Sequence, residues 1–175
     1  MKTQQKGFTL LELLIVIAIL AVLATVAVLV INPVEYLRQA RDSQRMNDLA
    51  AVKGALDLYA GATSTVSYGA CPATGRCTSA PLSNPFTGAC AVVATTDVLG
   101  GGWVDVNFGS LSGGSPLPKE PVDPTNSGGY FYGYACNTTG YELDTKFESA
   151  KYVPMMANDG GSQAGFYEIG SALTF

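Results

Sequence analysis

The chain has 175 residues, with 10 basic and 14 acidic side chains and a formal net charge of −4. Nucleic-acid-binding surfaces need clustered Lys and Arg, so we expect no nucleic-acid partner for this chain alone. Histidine is absent, which excludes Ser–His and Cys–His catalytic arrangements and every His-based metal site. We therefore assign no catalytic residue and no metal ligand, and we expect a protein that is not an enzyme.

Residues 1–7 are polar and basic, and an apolar run of 24 residues follows from Phe8 to Ile31. This length is sufficient for an α-helix to cross a bilayer. Only Thr9, Glu12 and Thr25 interrupt the run. A carboxylate inside such a helix costs on the order of a few kcal/mol unless it is paired. Any function assigned to this segment therefore has to account for Glu12.

The basic leader predicts the orientation of the apolar helix, because positive charge keeps that end in the cytoplasm. A secretory signal is an alternative, cleaved after its apolar core at small residues such as Ala21, Ala24 and Ala27. The run is too long for a signal core, however, and cleavage there leaves Glu12 unexplained. A plain single-pass anchor with an incidental carboxylate is a second alternative.

The junction between the leader and the apolar run has the order Lys6-Gly7-Phe8-Thr9-Leu10-Leu11-Glu12. It resembles the class III signal of type IV prepilins and type II secretion pseudopilins at every motif position. The resemblance implies that a membrane prepilin peptidase cuts between Gly7 and Phe8 and methylates the new Phe8 amine. Phe8 and Glu12 are four residues apart, so we expect them on one helix face. Glu12 would then pair with the Phe8 amine of its own or a neighbouring subunit and guide assembly.

Residues 32–60 continue the helix with an amphipathic pattern. Asn32-Pro33 predicts a weak point at 29–33, either as a kink or as an N-cap followed by proline at the first helical position. An apolar stripe at helical spacing is expected to pack under a globular domain, and it consists of Leu49, Val52, Leu56 and Tyr59. The helix is predicted to end near Gly61.

Four cysteines follow the apolar run, at positions Cys71, Cys77, Cys90 and Cys136. An even number in an exported domain predicts two disulfides, although sequence cannot choose among the three pairings. We favour Cys71–Cys77 with Cys90–Cys136, and buried reduced thiols are the alternative. Residues 61–102, which hold three of the cysteines, are predicted to form a variable loop with one strand at 89–96.

Residues 103–175 predict an antiparallel sheet and a C-terminal loop. The expected strands are 103–108, 129–136 and 141–148, with a turn at 137–140. Alternation in the last strand predicts that Tyr141, Leu143 and Phe147 face the helix, and that four charged residues face solvent: Glu142, Asp144, Lys146 and Glu148. The resulting fold class is α+β, a long N-terminal helix, half membrane-spanning and half amphipathic, packed on a small antiparallel sheet as in type IV pilins.

Residues 117–124 read Leu-Pro-x-x-Pro-x-Asp-Pro, and Gly-Tyr-x-Tyr follows at 129–132. This order resembles the C-terminal part of major pseudopilins, in some of which calcium organises the C-terminal loop. Asp123, the turn at 158–161 and Glu168 supply oxygen atoms, but calcium takes six to eight oxygen ligands. A simple turn also explains 158–161, so we expect no cofactor and keep calcium as an alternative.

The resemblance implies a structural subunit that polymerises with other pilin subunits. The chain would first lie in the cytoplasmic membrane, with its N-terminus in the cytoplasm, and then enter an extracellular filament. Its partners would be the lipid bilayer, a prepilin peptidase and a membrane assembly platform. A type IV pilus, for adhesion, motility or DNA uptake, is favoured by the disulfide-bearing loop. A type II secretion pseudopilus and a membrane-anchored extracytoplasmic module are the alternatives.

Overall fold

The computed structural model describes residues 7–70 and 75–175, and the chain divides into two compact units at Leu37. The first unit is dominated by helix α1, Leu10–Ile31. Its stretch Leu10–Val28 has a mean hydropathy of 2.9 and is long and apolar enough to cross a membrane. Apolar side chains occur on all sides of α1, which is typical of a helix surrounded by lipid or by other helices rather than water.

The second helix, α2, covers Pro33–Ala62 and is separated from α1 by Asn32. Asn32 adopts the left-handed backbone conformation (φ 45°, ψ 71°), and its carbonyl oxygen and Oδ1 accept bonds from the Glu35 amide at 3.0 and 3.4 Å. Asparagine tolerates this conformation, and proline at a first helical position loses no hydrogen bond. The break lies inside the predicted weak point and divides the predicted long helix into two.

The second unit contains a five-stranded sheet with the order β2-β1-β3-β4-β5. The strands are β1, Gly75–Cys77; β2, Cys90–Val92; β3, Gly133–Cys136; β4, Tyr141–Thr145; and β5, Tyr167–Gly170. β1 and β2 pair in parallel, and the other neighbours are antiparallel. Two short 3-10 helices cover Phe108–Ser110 and Val153–Ala157. The predicted α+β, pilin-like fold class is confirmed.

Two layers of side chains cover the two faces of the sheet. The stripe on α2 packs on one face together with aromatic residues of the loops and strands, including Trp103, Phe108, Tyr132, Tyr134 and Tyr141. A smaller cluster covers the opposite face and consists of Cys77, Phe86, Phe131, Ala135 and Phe166. Because both faces are covered, a polar residue on either face of β4 is buried.

The strand predictions need three corrections. Residues 103–108 form a loop that enters a 3-10 helix, and they resemble a strand in sequence because Trp103, Val104, Val106 and Phe108 are core residues. The predicted strands at 89–96, 129–136 and 141–148 are shorter than expected. Glu142 and Asp144 are buried rather than in solvent, and Glu148 is bound by two arginines.

The favoured disulfide pairing is wrong, because Cys77 is bonded to Cys90 with a Cα–Cα distance of 5.8 Å. The parallel pairing of β1 with β2 brings these two cysteines together. Cys136 is also disulfide-bonded, and the prediction for Cys71 falls outside the described residues. The prediction of disulfides rather than free thiols is confirmed for Cys77, Cys90 and Cys136.

The Arg45 guanidinium joins α2 to two segments that are distant in sequence. It donates to Asp123 at 2.6 and 3.1 Å, to Asp42 at 2.7 Å and to Glu148 at 2.8 Å. The side chains of Arg45, Asp42 and Asp123 are fully buried. Arg41 makes two further bonds of 2.6 Å to Glu148 from a position that is about one-third exposed. Because Asp42 and Asp123 are buried away from water, the positive charge of Arg45 is needed to neutralise their carboxylates.

Replacing Arg45 by Met should lower the free energy of unfolding of the second unit by about 3–5 kcal/mol, because buried carboxylates lose their cation. Arg41→Met is the matched control and should cost about 1 kcal/mol or less, because its ion pair is partly exposed. Urea unfolding of the detergent-solubilised chain, followed by the fluorescence of the single tryptophan, Trp103, measures both changes. Equal stability of the two variants would contradict this assignment.

Candidate functional site

The Gly7–Phe8 peptide bond lies on the N-terminal side of α1, in a segment without regular secondary structure. Phe8 is 79% exposed, and nothing lies within 4 Å of the position that a Cβ would take at Gly7. A peptidase can reach this bond without unwinding the helix. The structure therefore presents the predicted cleavage position as an accessible peptide directly before the apolar helix.

Thr9 caps α1 and fixes where the helix begins. Its backbone is extended (φ −80°, ψ 149°), and its Oγ1 accepts a 3.2 Å hydrogen bond from the Glu12 amide. Thr9 and Glu12 thus have the spacing of a capping box, in which the glutamate belongs to the first helical turn. A carboxylate at this position is also favoured by the helix dipole.

This local role does not by itself account for Glu12. The favourable interaction of an exposed carboxylate with a helix N-terminus is worth about 0.3–1 kcal/mol. The cost of a charged side chain within a bilayer is about 2.5–3.5 kcal/mol even on the lowest scales for Asp, Lys and Arg. An apolar environment around α1 therefore still requires a partner for Glu12.

The relation between Phe8 and Glu12 differs from the prediction. Phe8 precedes the N-cap residue Thr9, so it lies outside the helix and does not share a helical face with Glu12. The chain described still contains Gly7, so the nitrogen of Phe8 is an amide rather than a free amine. Phe8 and Glu12 would share a helical face only if α1 began two residues earlier, so that it included Phe8 and Thr9.

The apolar side chains of α1 are exposed along its length, from 87% at Leu10 to 44% at Val16. The exposed set continues to Val28, Val30 and Ile31. Contiguous apolar surface of this extent marks a membrane or protein interaction site. Glu12 and the neighbouring apolar surface must therefore be covered by the same environment.

Residues 2–28 match the protein-family model described as a prokaryotic N-terminal methylation motif. The chain carries a class III prepilin signal. Such signals occur in type IV pilins and pseudopilins, and this one covers the predicted cleavage position, the capped start of α1 and most of its apolar length. No curated protein and no solved structure matches the chain. The match therefore identifies the N-terminal segment as a prepilin signal. The second unit is interpreted from its structure alone, because no match covers it.

The residues predicted as calcium ligands are only partly brought together. Asp159 Oδ2 accepts a 2.9 Å bond from the Glu168 amide, so these two residues are neighbours. Asp123 is instead held by Arg45 in the buried ion network. Among residues 7–70 and 75–175, the acidic group whose oxygens lie close enough together that they could hold a metal ion consists of Glu142, Asp144 and Glu168. Strand alternation missed Glu142 and Asp144 because it placed them in solvent.

Replacing Glu12 by Ala or Gln should leave cleavage after Gly7 largely intact but reduce incorporation into filaments by about tenfold or more, since 1.4 kcal/mol corresponds to a factor of ten. Gln keeps the size of the side chain and removes only its charge. Glu35→Gln, in the first turn of α2, is the matched control. Protein in sheared fibres relative to membranes gives the measurement, and normal fibre yield from Glu12→Gln would contradict the assigned role.

Proposed function

We propose that this protein is a structural subunit of a type IV pilus. It is inserted in the cytoplasmic membrane, cleaved between Gly7 and Phe8, methylated at Phe8 and polymerised into an extracellular filament. The observation that carries the proposal is Glu12, a single carboxylate in the first turn of an exposed apolar helix, most of which lies within the prepilin signal.

The position of the cut explains why the helix can serve in two environments. Cleavage before α1 leaves the apolar segment on the mature protein, whereas cleavage after it would release the second unit from the membrane. Lipid covers the exposed side chains of α1 before assembly, and the α1 helices of other subunits cover them afterwards. Both environments bury apolar surface, so transfer between them does not expose it to water.

Glu12 sets the position of one subunit relative to the next in this proposal. Cleavage creates an amine at Phe8 that remains cationic after monomethylation. An unpaired carboxylate in a core of apolar helices is costly, and a carboxylate paired with an amine is tolerated. The amine of a neighbouring subunit is the proposed partner of Glu12, and the subunit's own Phe8 amine is the alternative.

The second unit forms the surface of the filament. Its core is closed by α2, the sheet and the disulfide Cys77–Cys90, so it can fold before assembly. The proposed partners are other pilin subunits, a prepilin peptidase and a membrane assembly platform. Energy for assembly comes from a separate ATPase, because the sequence contains no Gly-x-x-x-x-Gly-Lys-Ser/Thr phosphate-binding motif.

A pseudopilus subunit of a type II secretion system is the second candidate. The proline-rich segment at 117–124, followed by Gly-Tyr-x-Tyr at 129–132, favours it. The loop closed by the Cys77–Cys90 disulfide favours the pilus, because the resemblance to pilins implies a variable surface loop in this part of the chain. We give the pilus priority on this ground.

Electron microscopy of cells with and without this protein distinguishes the candidates. The proposal predicts long surface fibres that disappear on deletion and return with the wild-type chain but not with Glu12→Gln. Loss of protein secretion without any change in surface fibres would favour the pseudopilus. Unchanged fibres and unchanged secretion would contradict both candidates and favour a membrane-anchored module.

A further inference from the structure

Three carboxylates meet on the face of the sheet opposite α2. Asp144 on β4 is paired across the strands with Glu168 on β5, and Glu142 lies two residues before Asp144 on the same face of β4. One oxygen from each side chain can be chosen so that all three lie within 4.8 Å of one another. All three residues are buried, with Glu142 and Asp144 at 0% exposure and Glu168 at 1%.

The oxygens that face this cluster are largely without partners. Both carboxylate oxygens of Asp144 and the Oε1 of Glu142 are buried and accept no hydrogen bond. Within the described ranges 7–70 and 75–175, no salt bridge reaches any of the three residues. An unpaired buried charge costs several kcal/mol, so three adjacent ones require a positive species or protons.

The remaining oxygens accept hydrogen bonds that orient Glu142 and Glu168, two from backbone amides and one from the Ser162 hydroxyl to Glu168 Oε1 at 3.5 Å. The Gln163 amide donates to Glu168 Oε2 at 2.9 Å, and the Phe175 amide donates to Glu142 Oε2 at 3.3 Å. A Cβ at residue 161 would collide with the Glu168 carboxylate, so only glycine fits there. Contacts with the surrounding backbone therefore hold these buried carboxylates in position, unlike acidic side chains on a protein surface.

We propose that Glu142, Asp144 and Glu168 bind a divalent cation of the calcium class. Carboxylate oxygens are the ligands that Ca²⁺ and Mg²⁺ prefer. Ligands on opposite sides of Ca²⁺ lie about 4.6–5.2 Å apart, whereas those around Mg²⁺ lie no more than about 4.2 Å apart. The carboxyl oxygens lie within 4.8 Å of one another, a limit that either ion satisfies. The number of carboxylates favours Ca²⁺, because Mg²⁺ is usually bound by only one or two and keeps several waters.

The ion supplies what the protein lacks at this position. Burial raises the pKa of all three carboxyl groups, that of Glu142 to about 7, and repulsion by the neighbouring carboxylates adds to the rise at Glu142 and Asp144. Asp159 adds a further negative charge nearby. A bound cation reverses this repulsion, and three carboxylates provide three to six oxygen ligands, with water completing the shell.

A route from solvent exists beside the cluster. Glu168 and Asp159 line an open cavity of about 250 Å³ together with Asn158 and Met155. The cation would join β4 to β5 and to the turn that holds Asp159. This site differs from the set predicted from the sequence, because Asp123 is absent from it and the two β4 carboxylates are added. The inference does not depend on the proposed function, since it concerns the second unit alone.

Calorimetric titration of CaCl₂ into the EDTA-treated, detergent-solubilised full chain tests the proposal. We expect saturable binding with a Kd at or below about 10⁻⁴–10⁻³ M, the range of extracellular calcium modules. The unfolding temperature should rise by several degrees with Ca²⁺ and less with Mg²⁺, because a ligand that binds only the folded state stabilises it. No binding and no thermal shift with the wild-type chain would overturn the proposal and leave protons to neutralise the cluster.

Asp144→Asn tests the assignment to these residues. It keeps the shape of the side chain and removes one repelling charge, so the variant should be at least as stable as the wild type in EDTA and should bind Ca²⁺ about tenfold or more weakly. Asp97→Asn is the matched control at an exposed carboxylate and should bind as the wild type does. Undiminished binding by Asp144→Asn would overturn the assignment, and Glu142→Gln provides the same test if Asp144→Asn does not fold.

Discussion

The apolar surface of α1 is the constraint on which the rest of the protein depends. Side chains from Leu10 to Ile31 are exposed on all sides of the helix, and water is a poor environment for that much hydrocarbon. The surface has to be covered by lipid or by other chains throughout the life of the protein. Glu12 is the one acidic or basic side chain in this helix, so the surroundings of α1 must include a positive group close to it. In the proposed function, cleavage before Phe8 creates a new amine four residues away from Glu12.

In the second unit, the amphipathic helix α2 packs on a small sheet. Leu49, Val52 and Leu56 pack with the aromatic residues of the larger hydrophobic cluster. Arg45 then fixes α2 to Asp123 and Glu148, which lie in separate segments of the chain. A buried arginine with several carboxylate partners specifies one arrangement, because a shifted helix would leave buried charges unpaired.

The N-terminal segment was predictable from sequence because its information is local. Length, apolarity and the Gly-Phe-Thr-Leu-x-Glu order are read directly, and the break at Asn32 follows from the proline beside it.

The sheet was less predictable, since alternation along β4 indicates which residues are polar and not which side chains cover each face. Phe86, Phe131 and Phe166, all distant from β4 in sequence, close the face that holds Glu142 and Asp144. The Cys77–Cys90 bond likewise follows from the parallel pairing of β1 with β2, which short strands do not reveal. Nothing in the sequence around Asp123 indicated whether its carboxylate would bind an arginine or a metal ion.

In the proposed function the mature chain begins at a processed Phe8, two residues before α1, and enters a filament. Mass spectrometry of the N-terminus, applied to protein recovered from sheared surface fibres, tests it most directly. The account predicts a chain that begins at Phe8 and carries one methyl group on its amine, with the first seven residues missing. A chain in that material that begins at Met1, or one cleaved after α1, would contradict it.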